Sequence, residues 1–152
     1  MYKRKSWREK LADSKGLPKV SRIEGKMSTR WGKGTMVVPA PLEVDAIMRA
    51  VPKGKLTTLD QVRAALAKKH KVNVCCPLTT GIFSWIAAHA ADEAQQAGEK
   101  NITPYWRTLK AGGELNPKFP GGIPALKKLL TAEGHHVAQR GKKFFVENMN
   151  AA

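Results

Sequence analysis

The stretch ITPYWRTLKAGGELNPKFPGGIPALKKLL, residues 102–130, sets the strictest limit on this chain. It holds Gly112, Gly113, Pro117, Pro120, Gly121 and Gly122 within a short span. Proline removes a backbone donor and glycine opens conformations other residues avoid, so no long regular element runs through it. The segment reads as a loop, with Tyr105 and Trp106 ahead of it and a helix start behind it. An aromatic ledge facing a Gly-Gly turn can hold something flat, because glycine lets backbone approach a ligand closely. The same residues also suit a core aromatic pair followed by an ordinary loop. The residues alone leave both readings open.

Charge narrows the partners. At 152 residues the chain is one domain by length, and 27 Lys and Arg against 12 Asp and Glu give +15. Such a surplus calls for a polyanion: duplex DNA, RNA or an anionic membrane. No run approaches 18 apolar residues, so no spanning helix is expected. About half the surplus lies in residues 1–35, where 11 Lys and Arg face only Glu9, Asp13 and Glu24. The chain thus divides into a basic N-terminal extension, 1–35, and a folded part, 36–147. Within the extension, Ser6 with Glu9 three residues on predicts a short capped helix over 6–14. The extension either lies along phosphates or is pinned to the body by Trp7 and Trp31. The opening MYKRKSWREK is basic without an apolar segment behind it, which argues against a secretory signal and for a cytoplasmic, nucleoid-associated protein. Cys75 and Cys76 are adjacent, so no disulfide framework is implied. With His135 and His136 they lack the separated spacing of a zinc site. The expectation is a monomer with no metal and no cofactor.

Along the folded part, residues 35–39 read as a short extended piece ending at Pro39. Pro41 opens a helix whose inner stripe is Val44, Ile47, Met48 and Val51. Thr58 and Gln61 form a capping-box start for a helix to about Lys69, with Val62 and Leu66 inward. A further helix begins near Thr79 and continues past Ala90. On a helical wheel Ile82, Trp85, Ile86 and His89 gather on one side, and Thr80, Gly81, Ser84, Ala87, Ala88 and Ala91 on the other. With the bulky side inward, the exposed face is bare, and a bare face admits a backbone: a neighbouring helix or a nucleic-acid groove. Ile123–Ala132 is a helix with Leu126, Leu129 and Leu130 inward, ending at Gly134. Residues 136–146 read as a β-hairpin around Arg140-Gly141. The fold class is mainly α with a small β part: a winged helix-turn-helix domain with a C-terminal β-hairpin.

Pro104-Tyr105-Trp106-Arg107, then Phe119-Pro120-Gly121-Gly122, then Leu129-Leu130-x-x-Glu133-Gly134 resembles the DNA-binding domain of the O6-alkylguanine-DNA alkyltransferases over roughly residues 40–136. That family reads Pro-Cys-His-Arg, Tyr-x-Gly-Gly and Leu-Leu-x-x-Glu-Gly. Tyr105 stands at the reactive cysteine and Trp106 at the histidine. The chain is closest in logic to the cysteine-lacking alkyltransferase-like proteins. The resemblance implies duplex DNA as partner, with the helix after Thr79 in the minor groove. Lys53, Lys55, Thr58, Thr80, Gly81, Ser84, Ala88, Arg140 and Lys142 would then touch DNA. Tyr105, Trp106, Phe119, Pro120, Gly121 and Gly122 would wall a base pocket, supported by Arg107 and by Glu133, which matches the family's histidine-orienting glutamate. Two departures stand out. Leu59 occupies the position of a family tyrosine that pushes a phosphate, and the aligned position of the arginine that fills the gap left by an extruded base looks like Thr80.

Alkyl transfer needs a thiolate and a base to draw its proton. Trp106 cannot take a proton, and Tyr105 carries a phenol of ordinary pKa about 10. No catalytic residue is expected here. The favoured expectation is a non-enzymatic DNA-binding protein that recognises altered bases in repair. The alternatives are an alkyltransferase with its nucleophile relocated to Cys75 or Cys76, and a general nucleic-acid binder without a lesion pocket.

Overall fold

The structure, a computed structural model, describes residues 6–14, 16–23 and 34–147. Trp31 and the readings that rest on it lie outside the described residues.

Local chemistry explains where the elements start. Ser6 caps α1 (Trp7–Ala12): its hydroxyl accepts the Glu9 amide at 3.1 Å while the Glu9 carboxylate accepts the Ser6 amide at 3.2 Å. β1 (Lys19–Arg22) pairs antiparallel with β2 (Thr35–Val38), so part of the N-terminal extension joins the folded body. α2 (Pro41–Arg49) carries Pro41 in its first turn and buries Val44 and Met48. β3 (Thr57–Thr58) leads into α3 (Leu59–Lys69), whose capping box joins Thr58 and Gln61 reciprocally. β4 (Val74–Cys75) runs parallel to β2 and completes the sheet β1-β2-β4. α4 (Pro77–Gln96) follows as the central helix.

After α4 come a 3-10 turn at Tyr105–Arg107 and β5 (Thr108–Leu109), which runs parallel to β3. α5 (Gly122–Ala132) starts from Gly121, held at φ 77°. A side chain there would be strained by that backbone, and its Cβ would collide with the Ala125 methyl. The hairpin of β6 (Val137–Arg140) and β7 (Lys143–Val146) closes the chain. The result is a mainly α, winged-helix-like fold, with α3 and α4 as the helix pair and β6-β7 as the wing.

α4 faces the opposite way from the sequence expectation. Thr80, Ser84, Ala87 and Ala88 are each 0% exposed, whereas Ile82 is 42% exposed. The small side lets α2 and its neighbours approach closely, so the bare face is a helix-packing face and not a groove-facing one. Ile86 is buried as expected, but Trp85 and His89 sit outside, covered by α1.

Candidate nucleic-acid interface

The turn at Tyr105–Arg107 is tied into a closed polar centre. Trp106 Nε1–H donates to Glu133 Oε2 at 2.8 Å. Arg107 forks onto the same carboxylate through Nε at 3.0 Å and Nη2 at 2.8 Å, and its Nη1 donates to the Val51 carbonyl at 2.9 Å. The Gly54 amide adds a bond to Glu133 Oε1 at 3.2 Å. One carboxylate thus joins the end of α5, the 3-10 turn and the turn after α2. Burial pushes the Glu133 carboxyl up, but Arg107, Trp106 and the Gly54 amide outweigh it and hold the pKa down to about 2. So charged and so saturated, Glu133 is a structural anchor and a poor proton acceptor.

The residues expected to wall a base pocket are packed instead. Tyr105 and Phe119 are 5% and 3% exposed and meet edge-on with ring centres 6.2 Å apart; Pro120 is buried. Trp106, half-buried, meets Tyr105 edge-on at 5.4 Å and is held by Glu133. Gly121 and Gly122 form the turn into α5. Burial, then the charge of Asp92, pushes the Tyr105 phenol above its usual pKa, which makes it a weaker nucleophile.

The open site lies beside this centre. A groove of about 510 Å³ runs between the first half of α4 and the Asn116–Lys118 loop. Leu59, Pro77, Leu78, Ile82, Trp85 and Pro117 supply its apolar surface, Gly81 gives it space, and Lys110, Asn116 and Lys118 stand at its polar side. Leu78 is 69% exposed, an unusual placement for a large apolar side chain with a neighbour, Ile82, on the same helix edge. None of Tyr105, Trp106 and Phe119 lines this groove.

The expected DNA contacts therefore separate. Gly81 reaches the groove; Thr80, Ser84 and Ala88 do not. The hydroxyls of Thr80 and Ser84 donate within their own helix turn, to the Cys76 and Gly81 carbonyls at 2.7 Å each. Thr58 is 8% exposed and spends its hydroxyl capping α3. Lys53, Lys55, Arg140 and Lys142 are exposed and take part in no ion pair among the described residues. Sequence reasoning missed Leu78, Ile82, Trp85, Lys110 and Lys118 as groove residues. The signal was present: Leu78, Ile82 and Trp85 recur at i, i+4 and i+7 and mark an apolar edge. That edge simply faces out.

Cys75 and Cys76 are both buried and free. Burial is the main cause that pushes the Cys75 thiol above its usual pKa, and its Sγ lies 3.3 Å from Thr80 Oγ1. A reactive cysteine needs the opposite environment: exposed, with its thiolate favoured.

No family model and no curated protein matches the sequence. The fold does match that of a solved structure, S. pombe Atl1 in complex with damaged DNA containing O6-carboxymethylguanine. The likeness is one of fold. The TM-score is 0.51 at 17% identity, over 73% of this chain and 90% of that one.

Proposed function

We propose that this is a DNA-binding protein of repair that lodges an altered or unpaired base in the groove between α4 and the Asn116–Lys118 loop, without alkyl transfer. The observation that carries this reading is the groove itself. It is apolar along Leu78, Ile82 and Trp85, has Lys110 and Lys118 at its side, and sits on a fold like one solved on damaged DNA. An apolar wall suits the face of a base, and lysines suit the phosphates that flank it. The uncommitted cations support the same reading. Glu43, Asp60, Glu99, Glu114 and Glu133 are each engaged by a cation of their own, which among the described residues leaves Lys53, Lys55, Lys127, Lys128, Arg140 and Lys142 for an external anion. The absence of alkyl transfer is supported by the saturated Glu133 and by the buried thiol of Cys75 with its raised pKa.

Two measurements test this. Anisotropy titrations of a plain duplex and a duplex with O6-methylguanine, across a salt series, should show tighter lesion binding at every salt concentration. Equal binding with a steep salt slope would make the protein a general electrostatic binder and remove the groove from the account. Intact mass after incubation with the lesion duplex should be unchanged; a gain of one methyl group would establish the relocated-cysteine enzyme instead.

A further inference from the structure

We infer that the N-terminal helix α1 is part of the recognition site: Trp7, through His89 and Trp85, holds the lip and wall of the groove and so sets its width. The inference takes its ligand from the reading above, but its geometry stands apart from that reading. α1 has six residues, too few to persist alone. It is fixed from both ends of its first turn. Ser6 caps it, and the Glu93 carboxylate of α4 accepts the amides of Trp7 and Arg8 at 3.3 and 3.2 Å, placing negative charge where the helix dipole favours it. Arg8 Nη2 adds a 2.9 Å pair to Glu99.

What this docking delivers is the Trp7 ring. It stacks on His89 with centres 4.5 Å apart and planes 24° apart, and meets Trp85 edge-on at 4.7 Å. Each neighbour leads to the groove. Trp85 lines it directly. His89 Nε2–H donates to the Lys118 carbonyl at 3.0 Å, and Lys118 lines the opposite side. The other bonds of the Asn116–Lys118 lip are local to it, the Lys118 amide to Asn116 Oδ1 at 3.0 Å and the Phe119 amide to the Asn116 carbonyl at 3.2 Å, while Leu115 just before it is held by the hairpin, its amide donating to the Phe144 carbonyl at 2.8 Å. Among the described residues, the bond from His89 is the hydrogen bond that ties Lys118 to α4. Trp7 is thus a positioning residue, and the arm it belongs to is more than a phosphate-gripping tail. The same segment carries Lys3, Arg4 and Lys5 immediately before α1, so charge on the arm and shape in the groove are joined in sequence.

Hydrogen exchange of the free full-length protein, with lesion and plain duplex binding beside it, tests the assignment. Trp7→Ala should raise exchange across residues 116–119 and lower the lesion-to-plain affinity ratio by roughly three- to tenfold, the size of an aromatic pair contribution. The plain-duplex salt slope should stay unchanged, since no cation is lost. Trp7→Phe should restore both readouts in large part. Should Trp7→Ala not fold, His89→Phe keeps a stacking ring and drops the hydrogen bond, and it must raise exchange at the same residues. Wild-type exchange across residues 116–119 in these variants would overturn the inference. If the wild type shows no lesion preference, the reading of the groove falls, and the exchange result alone still decides whether α1 holds the lip.

Discussion

The centre around Glu133 and the groove beside α4 lie next to each other in the fold and are built on opposite terms. At the centre the strong polar groups are committed to one another. Arg107, Trp106 and the Gly54 amide converge on one carboxylate, and the Arg107 and Glu133 side chains are 13% and 6% exposed. In the groove, large apolar side chains stand in solvent and lysines stand without such convergence. A site that has closed on itself contributes rigidity, and one that leaves surface uncommitted can take a partner. The stretch at Tyr105 and Trp106, which by resemblance marks a reaction centre, is packed as scaffold, and the function proposed above assigns recognition to its neighbour.

Glu133 carries the largest expected effect. Glu133→Ala leaves the Arg107 guanidinium largely buried without its anion and should cost about 3–5 kcal/mol of stability, read by chemical denaturation. Acid should act through the same group. Its folded pKa is depressed to about 2 from an ordinary carboxylate value of 4.5, so its contribution is complete above about pH 4.5 and is lost as pH falls toward 2. A denaturation series should therefore show a drop on the order of 3 kcal/mol across that window, and one strongly reduced in Glu133→Gln. A wild-type curve flat between pH 5 and 2 would mean that the carboxylate is not held as described.

The next step down sharpens the two sides of α4. Ala87 is 0% exposed on the small, inward side. Ala87→Leu forces three extra heavy atoms into a packed contact and should cost about 1–3 kcal/mol. Leu78 lies on the outer edge, so Leu78→Ala should change stability by less than about 0.5 kcal/mol. It should instead weaken lesion-duplex binding by roughly tenfold, the loss of an apolar side chain that is covered on binding. If Ala87→Leu is neutral and Leu78→Ala destabilises, the helix is turned the other way.

That orientation is also where the sequence stopped being legible. The capping boxes at Ser6–Glu9 and Thr58–Gln61 could be read because each is complete within four residues. The hairpin and the stripe of Val44 and Met48 could be read for the same reason: their period is local. A helical wheel separates the small side of α4 from the bulky one, but it does not say which side turns inward. That was decided by residues far away in sequence, by α2 requiring close approach and by Trp7 covering Trp85 and His89 from the other end of the chain. The groove was hidden by the same cause, since its walls come from Leu59, from residues 77–85 and from residues 110–118. The Glu133 anchor was half legible. The motif pattern placed a carboxylate near Trp106, but its fork with Arg107 and its reach to Gly54 depend on the folded turn after α2.

The smallest effect separates charge from shape within the groove. Lys118 is exposed and takes part in no ion pair among the described residues, whereas Lys110 lies 3.8 Å from Glu114. Lys118→Gln should lower the salt slope of plain-duplex binding by about one, as for one phosphate contact, and weaken plain and lesion duplexes alike. Lys110→Gln should do less, because its charge is already partly answered by Glu114. Leu78→Ala, by contrast, should leave the slope unchanged and move the lesion duplex more than the plain one. If Lys118→Gln lowers lesion preference as much as Leu78→Ala does, the lysine is reading the base and not the backbone. The groove would then be a polar site, and its likeness to a stacking surface would be misplaced.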